Sequence, residues 1–264
     1  MASLLACMSC NNNKPDESNN IPSLPPIPII NYGVTGFFPH DTSLFTEGLL
    51  MNDGKLYEST GSPEELAGTR SMVGVSNLAN GKFDKKIELD RNKYFGEGIV
   101  FLNNKLYQLT YKNKIGFIYD AKTFKRIDSF TYNNAEGWGL TTDGKEIIMS
   151  DGTDALTFIN PTNMQPSRVL HVTENGAAVN YLNELEYIKG FIYANLWTTN
   201  FIVKINPENG NIVSKLDLSS LANEARSKNP YAEAMNGIAY DSVAKKVYVT
   251  GKLWPNIYQI EFAH

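Results

Sequence analysis

Apolar and polar residues alternate along most of the chain in short runs that turn residues separate. Five segments share one order: a polar residue, an apolar run, a tight turn rich in Asn, Asp, Gly or Lys, and a second apolar run. They are FTEGLLMNDGKLYES (45–59), FGEGIVFLNNKLYQL (95–109), AEGWGLTTDGKEIIMS (135–150), LNELEYIKGFIYANL (182–196) and MNGIAYDSVAKKVYVT (235–250). Alternation on both sides of such a turn predicts two antiparallel strands. The sequence therefore predicts a β-hairpin that recurs five times.

The five hairpins recur at similar intervals. Their opening polar residues stand 50, 39, 47 and 53 residues apart, at Glu47, Glu97, Glu136, Asn183 and Asn236. Self-similarity at such a period is typical of propellers and solenoids. A second strand-turn-strand pattern follows four of the hairpins, at 71–89, 115–130, 156–172 and 201–218. We therefore predict an all-β fold, a five-bladed β-propeller with four antiparallel strands in each blade.

The two ends of the chain predict how the ring closes. Residues 29–37 have the pattern of one isolated strand, whereas the last unit, 236–262, has room for only three strands. An N-terminal strand that completes the last blade would remove an exposed sheet edge. One helix is predicted, at 218–230, with Ser219 as its N-cap and Pro230 as its stop.

Composition narrows the possible functions. The 264 residues are 42% hydrophobic and show no compositional break, which predicts one propeller domain over residues 29–264. The formal net charge is −4 and no basic run occurs, so no nucleic-acid partner is expected. Both cysteines, Cys7 and Cys10, precede the domain, and the three histidines are scattered. This pattern excludes a cysteine nucleophile in the folded body and the usual zinc motifs.

Residues 1–28 differ from the rest of the chain. The LLAC segment that ends at Cys7 resembles a bacterial lipoprotein box, and residues 11–28 have the polar and then Pro-rich composition of an extended tether. We expect a lipoprotein-like leader whose Cys7 or Cys10 carries a lipid, and hence a periplasmic or membrane-anchored protein of a bacterial cell envelope. The apolar run is shorter than a complete signal peptide. A disordered terminus without an anchor is therefore the alternative.

The first strand of each propeller blade lines the central channel, so the five opening residues are expected to converge at one mouth. Carboxylates that meet there raise one another's pKa unless a cation or an amine offsets them. Large aromatic residues and a lysine stand beside these positions: Phe45, Phe95, Tyr111, Trp138, Trp197, Trp254 and Lys252. The combination predicts a pocket for a small substrate with an apolar stem and polar ends. The alternative is that the repeated Glu-Gly pairs are structural and the aromatic residues belong to the core.

At these residues the chain resembles the plant-type glutaminyl-peptide cyclotransferases, a family that also occurs in bacteria. HDTSLFTEGL (40–49) is similar to the family's H-D-x-x-x-F-T-Q-G-L. Its other signatures are matched in order by YFGEGI (94–99), EGWGLT (136–141), LNELEYI (182–188), ANLW (194–197) and TGKLWP (250–255). The resemblance covers residues 30–262 and implies a five-bladed β-propeller that converts N-terminal glutamine to pyroglutamate with release of ammonia. Two positions depart from the usual pattern, because Glu47 stands in place of Gln and Tyr111 in place of Trp.

The resemblance also implies a set of site residues, namely Phe45, Glu47, Phe95, Glu97, Tyr111, Trp138, Asn183, Trp197 and Lys252. Glu97 would be the catalytic residue, taking a proton from the attacking α-amine and delivering it to the leaving ammonia. The aromatic residues would restrict and desolvate the glutamine side chain. Asn183 and Lys252 would bind the carboxamide oxygen or the peptide backbone, and Glu47 would receive the α-ammonium.

No cofactor and no catalytic metal are expected from this chemistry, although carboxylates and carbonyls at a propeller axis suit a structural calcium ion. The expected partners are peptides or proteins with N-terminal Gln, and the chain is expected to be a monomer. Two alternatives remain open. One is a calcium-dependent lactonase-like hydrolase with Glu47, Glu97 and Asn183 as metal ligands, and the other is a propeller that binds a partner without catalysis.

Overall fold

A computed structural model describes residues 25–264, and the predicted leader with Cys7 and Cys10 lies outside these residues. The first strand, β1 (Tyr32–Pro39), belongs to the last blade. Two complete four-stranded antiparallel sheets follow it along the chain. Blade 1 contains β2 (Thr46–Asn52), β3 (Lys55–Thr60), β4 (Met72–Ser76) and β5 (Phe83–Glu88). Blade 2 contains β6 (Gly96–Leu102), β7 (Lys105–Thr110), β8 (Ile115–Asp120) and β9 (Arg126–Thr131).

The remaining three blades repeat this order. Blade 3 contains β10 (Leu140–Thr142), β11 (Ile147–Ser150), β12 (Ala155–Asn160) and β13 (Gln165–His171), and a small hairpin of β14 (Thr173–Glu174) and β15 (Ala177–Ala178) follows. Blade 4 contains β16 (Leu182–Ile188), β17 (Phe191–Leu196), β18 (Phe201–Ile205) and β19 (Ile212–Asp217). Blade 5 contains β20 (Met235–Asp241), β21 (Lys246–Gly251) and β22 (Asn256–Phe262), and β1 completes it.

The first strands of the blades form a closed ring. Strand β2 contacts β6 and β20, and β10 contacts β6 and β16, while β16 also contacts β20. The predicted five-bladed, four-stranded propeller is therefore confirmed. The hairpin turns follow from their residues: Asp53 and Gly54 both have positive φ, at 48° and 70°, as do Asn103 and Asn104. Positive φ at both central residues is the geometry that suits the right-handed twist of the strands on either side.

The N-terminal strand closes the ring as predicted. β1 pairs antiparallel with β22, with Val34 opposite Ile260. Just before β1 the chain runs along the outer strand of blade 4, where Lys215 donates its backbone N–H to Pro28 O at 2.9 Å and Ile30 donates to Lys215 O at 2.7 Å. The last residues of the predicted tether therefore lie against β19 and cover part of its edge.

The predicted helix is present as α1 (Ser219–Lys228). Its cap is not Ser219, which is the first helical residue; the capping position is Leu218, which has no side-chain cap, and Asp217 accepts the Ser219 N–H at 3.0 Å. The helix ends before Pro230 as predicted, because a proline disfavours helical geometry at the residue that precedes it. Its Leu221, Ala222 and Ala225 pack into the core between blades 4 and 5. Within residues 25–264 no helix is long and apolar enough to cross a membrane.

The register of the five first strands corrects one predicted position. Ser59 of blade 1 donates its hydroxyl to Glu97 O, and Ser150 of blade 3 donates to Asn183 O, both at 2.6 Å. Ser150 also accepts the N–H of Gly139 at 2.7 Å. In blade 1 the residue that packs against the corresponding serine, Ser59, is Gly48. Gly139 is therefore the counterpart of Gly48, and the residue before it, Trp138, is the counterpart of Glu47.

The sequence pattern places Glu136 at the opening position of the third hairpin, which is two residues too early. The pair Glu-Gly occurs there by coincidence. The ring of opening residues thus consists of Glu47, Glu97, Trp138, Asn183 and Asn236. A small residue follows most of these positions because the strands approach closely: a Cβ added at Gly98 would lie 2.5 Å from Leu140 N. Blade 4 has Glu184 instead, and its carboxylate accepts the N–H groups of Leu49 at 3.1 Å and Ile238 at 2.8 Å. Glu184 therefore spans the axis and closes the channel below the ring.

Candidate active site

The connections at one end of the ring enclose a cavity of about 640 Å³. Each blade sends two connections to this end: the one that enters its first strand and the one between its second and third strands. All nine predicted site residues line the cavity: Phe45, Glu47, Phe95, Glu97, Tyr111, Trp138, Asn183, Trp197 and Lys252. The sequence therefore identifies residues that are far apart in the chain and that the fold brings together at one site.

Two carboxylates form the closed end of the cavity. Glu47 is 2% exposed and Glu97 is 5% exposed, and they come from the first strands of neighbouring blades. Lys252 donates its ammonium to Glu47 Oε1 at 2.6 Å, and Asn236 donates its amide to Glu47 Oε2 at 3.3 Å. Both oxygens of Glu47 therefore have protein partners. Glu97 is left with a carboxyl group that faces the cavity.

Lys252 is the positive neighbour of both carboxyl groups, but its hydrogen bond goes to Glu47. This asymmetry favours the proton on one carboxyl group over the other. Burial raises the pKa of Glu47 to about 7, while the charge of Lys252 acts in the opposite direction. Burial raises the pKa of Glu97 well above its usual range, and the charge of Glu47 raises it further. Because Lys252 donates to Glu47, the negative charge of the pair is favoured on Glu47 and the proton on Glu97. The site therefore favours a protonated carboxyl group on Glu97.

Aromatic rings form the walls above the carboxylates. Phe45 and Phe95 pack edge to face with centroids 6.3 Å apart, and Phe95 lies 5.7 Å from Tyr111. On the other side Trp138 and Trp197 pack edge to face at 5.6 Å. The walls are apolar and hold each other in place, so an aliphatic stem between them would lose water and rotamer freedom.

Polar groups on the walls are few and placed individually. Trp138 donates its indole N–H to Glu136 at 2.9 Å, so Glu136 orients a wall although it is not a ring residue. Asn183 is 3% exposed, and its Oδ1 has no hydrogen-bond partner among the described residues. A buried unpaired acceptor costs about 1–3 kcal/mol. Because Asn183 also lines the cavity, its side-chain amide is suited to a hydrogen bond with a bound molecule.

Several cavity residues were not predicted, and two of them had a signal in the sequence. Phe45 and Phe95 stand two positions before Glu47 and Glu97, and Tyr181 stands two positions before Asn183. Tyr181 packs 5.8 Å from Trp197 and extends the aromatic wall. The same offset would have identified it. Asp151 also had a signal, because it directly follows the second strand of its blade, as Tyr111, Trp197 and Lys252 do. The other residues that were missed lie on connections and share neither offset: Pro63, Glu65, Ala135, Gly152, Thr153 and Glu233.

The predicted Trp254 does not line the cavity. It is fully buried, packs at 6.1 Å from Tyr258, and donates its indole N–H to Glu233 O at 3.0 Å. It therefore supports the connection that carries Lys252. No three His, Cys, Asp or Glu side chains are grouped for metal binding in the described range of 25–264.

The arrangement is suited to moving a proton within a small cavity with aromatic walls. It offers one neutral carboxyl group, one carboxylate held by a lysine, a free amide and aromatic walls. Such groups can protonate a poor leaving group and accept a proton from a nucleophile without a change in net charge.

Known proteins are similar to this chain in sequence and in fold. The sequence model of the glutamine cyclotransferase family matches residues 2–262. A glutaminyl-peptide cyclotransferase from Arabidopsis thaliana is 40% identical over 230 residues, which are 86% of this chain and 70% of that protein. The crystal structure of glutaminyl cyclase from Myxococcus xanthus is similar with a TM-score of 0.79 and 29% identity, over 90% of this chain and 98% of that one.

Proposed function

The chain belongs to the glutamine cyclotransferase family, and on that premise we propose that it cyclises the N-terminal glutamine of peptides and proteins with Glu97 as the proton carrier. The reaction joins the α-amino nitrogen to the side-chain carbonyl carbon and releases ammonia. It is intramolecular, so the enzyme has to hold the substrate folded. The observation that carries the proposed mechanism is the buried carboxyl of Glu97 beside the lysine-bound Glu47, at the closed end of an aromatic cavity.

The proton transfers follow from the protonation state. When the neutral α-amine attacks the carboxamide carbon, its nitrogen gains a positive charge and the carbonyl oxygen a negative one. Glu97 donates its proton to the nitrogen of the leaving amide, which departs as ammonia. The resulting carboxylate then takes a proton from the former α-amine, and Glu97 is again protonated. No proton is gained or lost over the cycle, in agreement with a group that acts as acid and then as base.

Glu47 and Lys252 keep Glu97, the proton carrier, in the protonated form that begins the cycle. Both oxygens of Glu47 have protein partners, so we assign it to raising the pKa of Glu97 rather than to receiving the substrate ammonium. The ammonium of Lys252 lies 4.4 Å from the centroid of the Phe45 ring, at the cavity wall. From there its charge favours the negative oxygen that forms during the attack.

The walls and the amide position the substrate. Trp138 and Trp197 flank the aliphatic part of the glutamine side chain, with Phe45 and Phe95 on the opposite side. Asn183 forms a hydrogen bond with a polar group of the substrate through its side-chain amide, which has no partner among the described residues. These contacts favour the folded substrate conformation in which the two reacting atoms meet.

The test is ammonia release from a short peptide with N-terminal Gln, together with the mass of the product. The chain should yield a product lighter by one ammonia, and Glu97→Gln should lower kcat by about 10²–10⁴-fold. Glu64→Gln is the matched control, because Glu64 is exposed and does not line the cavity. If Glu97→Gln kept most of its kcat, the assignment of the proton carrier would be wrong.

No observation favours the two alternatives. A calcium-dependent hydrolase would need a group of metal ligands, and the family match is to cyclotransferases. A purely binding propeller would not need a proton carrier at the end of its cavity. Activity that persists in EDTA and disappears in Glu97→Gln would oppose both.

We further propose a bacterial cell-envelope location for this enzyme, in the periplasm or at the membrane, with a lipid on Cys7 or Cys10 and a monomeric propeller domain. The support is the lipoprotein-like sequence at Cys7 and the polar, Pro-rich segment that follows it. Mass spectrometry of the protein made from its full gene would show the lipid. Cys7→Ser and Cys10→Ser would identify the modified residue, and sedimentation would give the oligomeric state.

A further inference from the structure

One connection at the cavity mouth differs from its four counterparts. Between the second and third strands, blades 2 to 5 have four residues each, at 111–114, 151–154, 197–200 and 252–255. Blade 1 has eleven residues there, 61–71, which we name the blade 1 loop. Its Pro63 and Glu65 reach the cavity. The four short connections each supply a cavity residue directly after the strand, so the blade 1 loop adds to a site that is otherwise complete.

The blade 1 loop is held in a defined position. Arg91 donates its guanidinium to Pro63 O at 2.7 Å and to Leu66 O at 3.3 Å, and it also bonds to Thr69 O. Arg70 likewise donates to carbonyls of the loop, to Ala67 O at 2.9 Å and to Thr69 O at 2.7 Å. The two guanidinium groups therefore serve the loop backbone, and neither lines the cavity. Glu65 is left as the charged residue that this loop presents to the mouth.

A second carboxylate lies at the same mouth. Glu233 precedes β20 and lines the cavity with Glu65, and both residues are exposed, unlike Glu47 and Glu97. Neither side chain forms an ion pair or a hydrogen bond with another described residue. Burial raises the pKa of Glu233, Lys252 opposes this, and the charge of Glu65 adds to it, as expected for two carboxylates that line the same cavity.

The cavity is closed at one end and open at the other, and this determines which part of the substrate lies beside Glu65 and Glu233. The reacting groups of the substrate must reach Glu97, and Glu184 closes the channel below. The peptide therefore leaves through the mouth. The Asn183 side chain lines the inner part of the cavity, is almost fully buried and forms no hydrogen bond with a described residue, which is an independent sign that a polar molecule binds there. Lys252 is the one cation on the described cavity wall, and because Glu47 binds it, its charge offsets Glu233 only in part.

We propose that Glu65 and Glu233 make the enzyme prefer substrates in which a lysine or arginine follows the N-terminal glutamine, and make it disfavour those with an acidic residue there. This inference rests on the proposed function. The side chain of the second substrate residue is the first to emerge from the cavity, between the two carboxylates. An exposed ion pair between the substrate side chain and either carboxylate has a modest effect that salt screens. We therefore expect the rates for the two kinds of substrate to differ several-fold.

The experiment compares three otherwise identical peptides that begin Gln-Lys, Gln-Ala and Gln-Glu. At low ionic strength, kcat/KM should be about 5- to 20-fold higher for Gln-Lys than for Gln-Glu, and the ratio should shrink in high salt. In the double variant Glu65→Gln, Glu233→Gln the ratio should fall to about one. Glu64→Gln, an exposed residue of the same loop that does not reach the cavity, should keep the wild-type ratio.

The ratio distinguishes this inference from the function on which it rests. A wild-type ratio near one, or a ratio that the double variant leaves unchanged, would overturn the role of the two carboxylates while turnover of Gln-Ala upheld the cyclotransferase. Absence of ammonia from all three peptides, with a folded protein, would overturn the proposed function and this inference with it.

Discussion

Lys252 of blade 5 donates its ammonium to the carboxylate of Glu47 of blade 1 at 2.6 Å, across 205 residues of sequence. The pair therefore joins the last blade to the first at the ring closure. Both side chains are almost fully buried, at 9% and 3% exposure. The same contact fixes the charge of Glu47 beside Glu97, so one ion pair contributes to both the closure of the fold and the protonation of the site.

Lys252→Met should therefore destabilise the fold and inactivate the enzyme. A buried ion pair that loses one partner costs about 3–5 kcal/mol, and we expect a loss of this size at about pH 8. The loss should be smaller near pH 5.5, because Glu47 can then take up a proton. Urea unfolding at the two pH values measures both. Lys85→Met is the control, since its pair with Glu88 is exposed and worth about 0–1 kcal/mol. An equal loss in both variants would show that the Lys252 pair does not stabilise the ring.

Glu47→Gln should shift the pH profile rather than abolish activity. The charge of Glu47 raises the pKa of Glu97, and the proposed cycle begins with protonated Glu97. Removal of that charge lowers the pKa of Glu97, so the alkaline limb of the kcat profile should move by about 1–2 pH units to lower pH. Glu64→Gln should leave the limb in place. An unchanged limb in Glu47→Gln would contradict the assignment of Glu47 as the group that holds the proton on Glu97.

The sequence predicted most of the fold because alternation and turn chemistry are local. Asp53-Gly54 and Asn103-Asn104, each between two alternating apolar runs, specify tight hairpin turns, so the strands could be counted directly. The position of Glu136 could not be predicted in this way. Its alignment depended on two matching letters, whereas the true register follows from Ser59 and Ser150, which hydrogen-bond to a neighbouring blade. Only the packed ring shows that Trp138 is the residue of blade 3 at this level.

The same distinction applies to the site. Residues that recur at a fixed offset, such as Phe45 and Phe95, were predicted, and Tyr181 follows the same rule. Glu65 and Glu233 stand on connections whose length and course vary from blade to blade. Their place at the cavity mouth depends on long-range contacts such as the one between Arg91 and Pro63. No local pattern encodes such contacts.

Gly61 should be needed for the shape of the pocket. It occupies the position after the second strand of blade 1, where other blades carry Tyr111, Trp197 and Lys252. An added Cβ would lie 2.2 Å from the Phe95 ring and 3.1 Å from Glu47 Oε1. Because Gly61 has no unusual backbone angle, the effect of an alanine is steric alone.

We therefore expect Gly61→Ala to displace Phe95 and lower kcat/KM by about 10- to 100-fold. Gly68→Ala is a matched control in the same loop, because nothing lies within 4 Å of its added Cβ. The assay is ammonia release from the Gln-Ala peptide, with unfolding measured in parallel. Equal activity of the two alanine variants would mean that Phe95 does not have to occupy its observed position.

A buried network beside the site makes stability depend on pH. His40 donates from Nδ1 to Trp254 O at 2.7 Å, and its Nε2 lies 3.1 Å from Glu58 Oε1. Glu58 also accepts the hydroxyls of Thr46 at 2.8 Å and Ser76 at 2.5 Å. Burial opposes a charge on His40, but the charge of Glu58 and the two hydrogen bonds outweigh it and raise the pKa of His40. The network ties blade 1 to the connection that carries Lys252.

The raised pKa of His40 gives the sign of the effect. Between the pKa of unfolded histidine, about 6.5, and the higher pKa of His40, the folded chain binds more protons than the unfolded chain. The stabilisation is therefore complete below about pH 6.5 and is lost as the pH rises through the folded pKa. His40→Asn keeps a donor for Trp254 O but removes the charge. It should lower the free energy of unfolding by about 3–5 kcal/mol near pH 6, and by less near pH 9. Urea midpoints at both pH values test this, with His171→Asn as the control because His171 pairs with Asp154 at the surface. If the difference in free energy of unfolding between His40→Asn and wild type did not narrow with rising pH, His40 would act by packing alone.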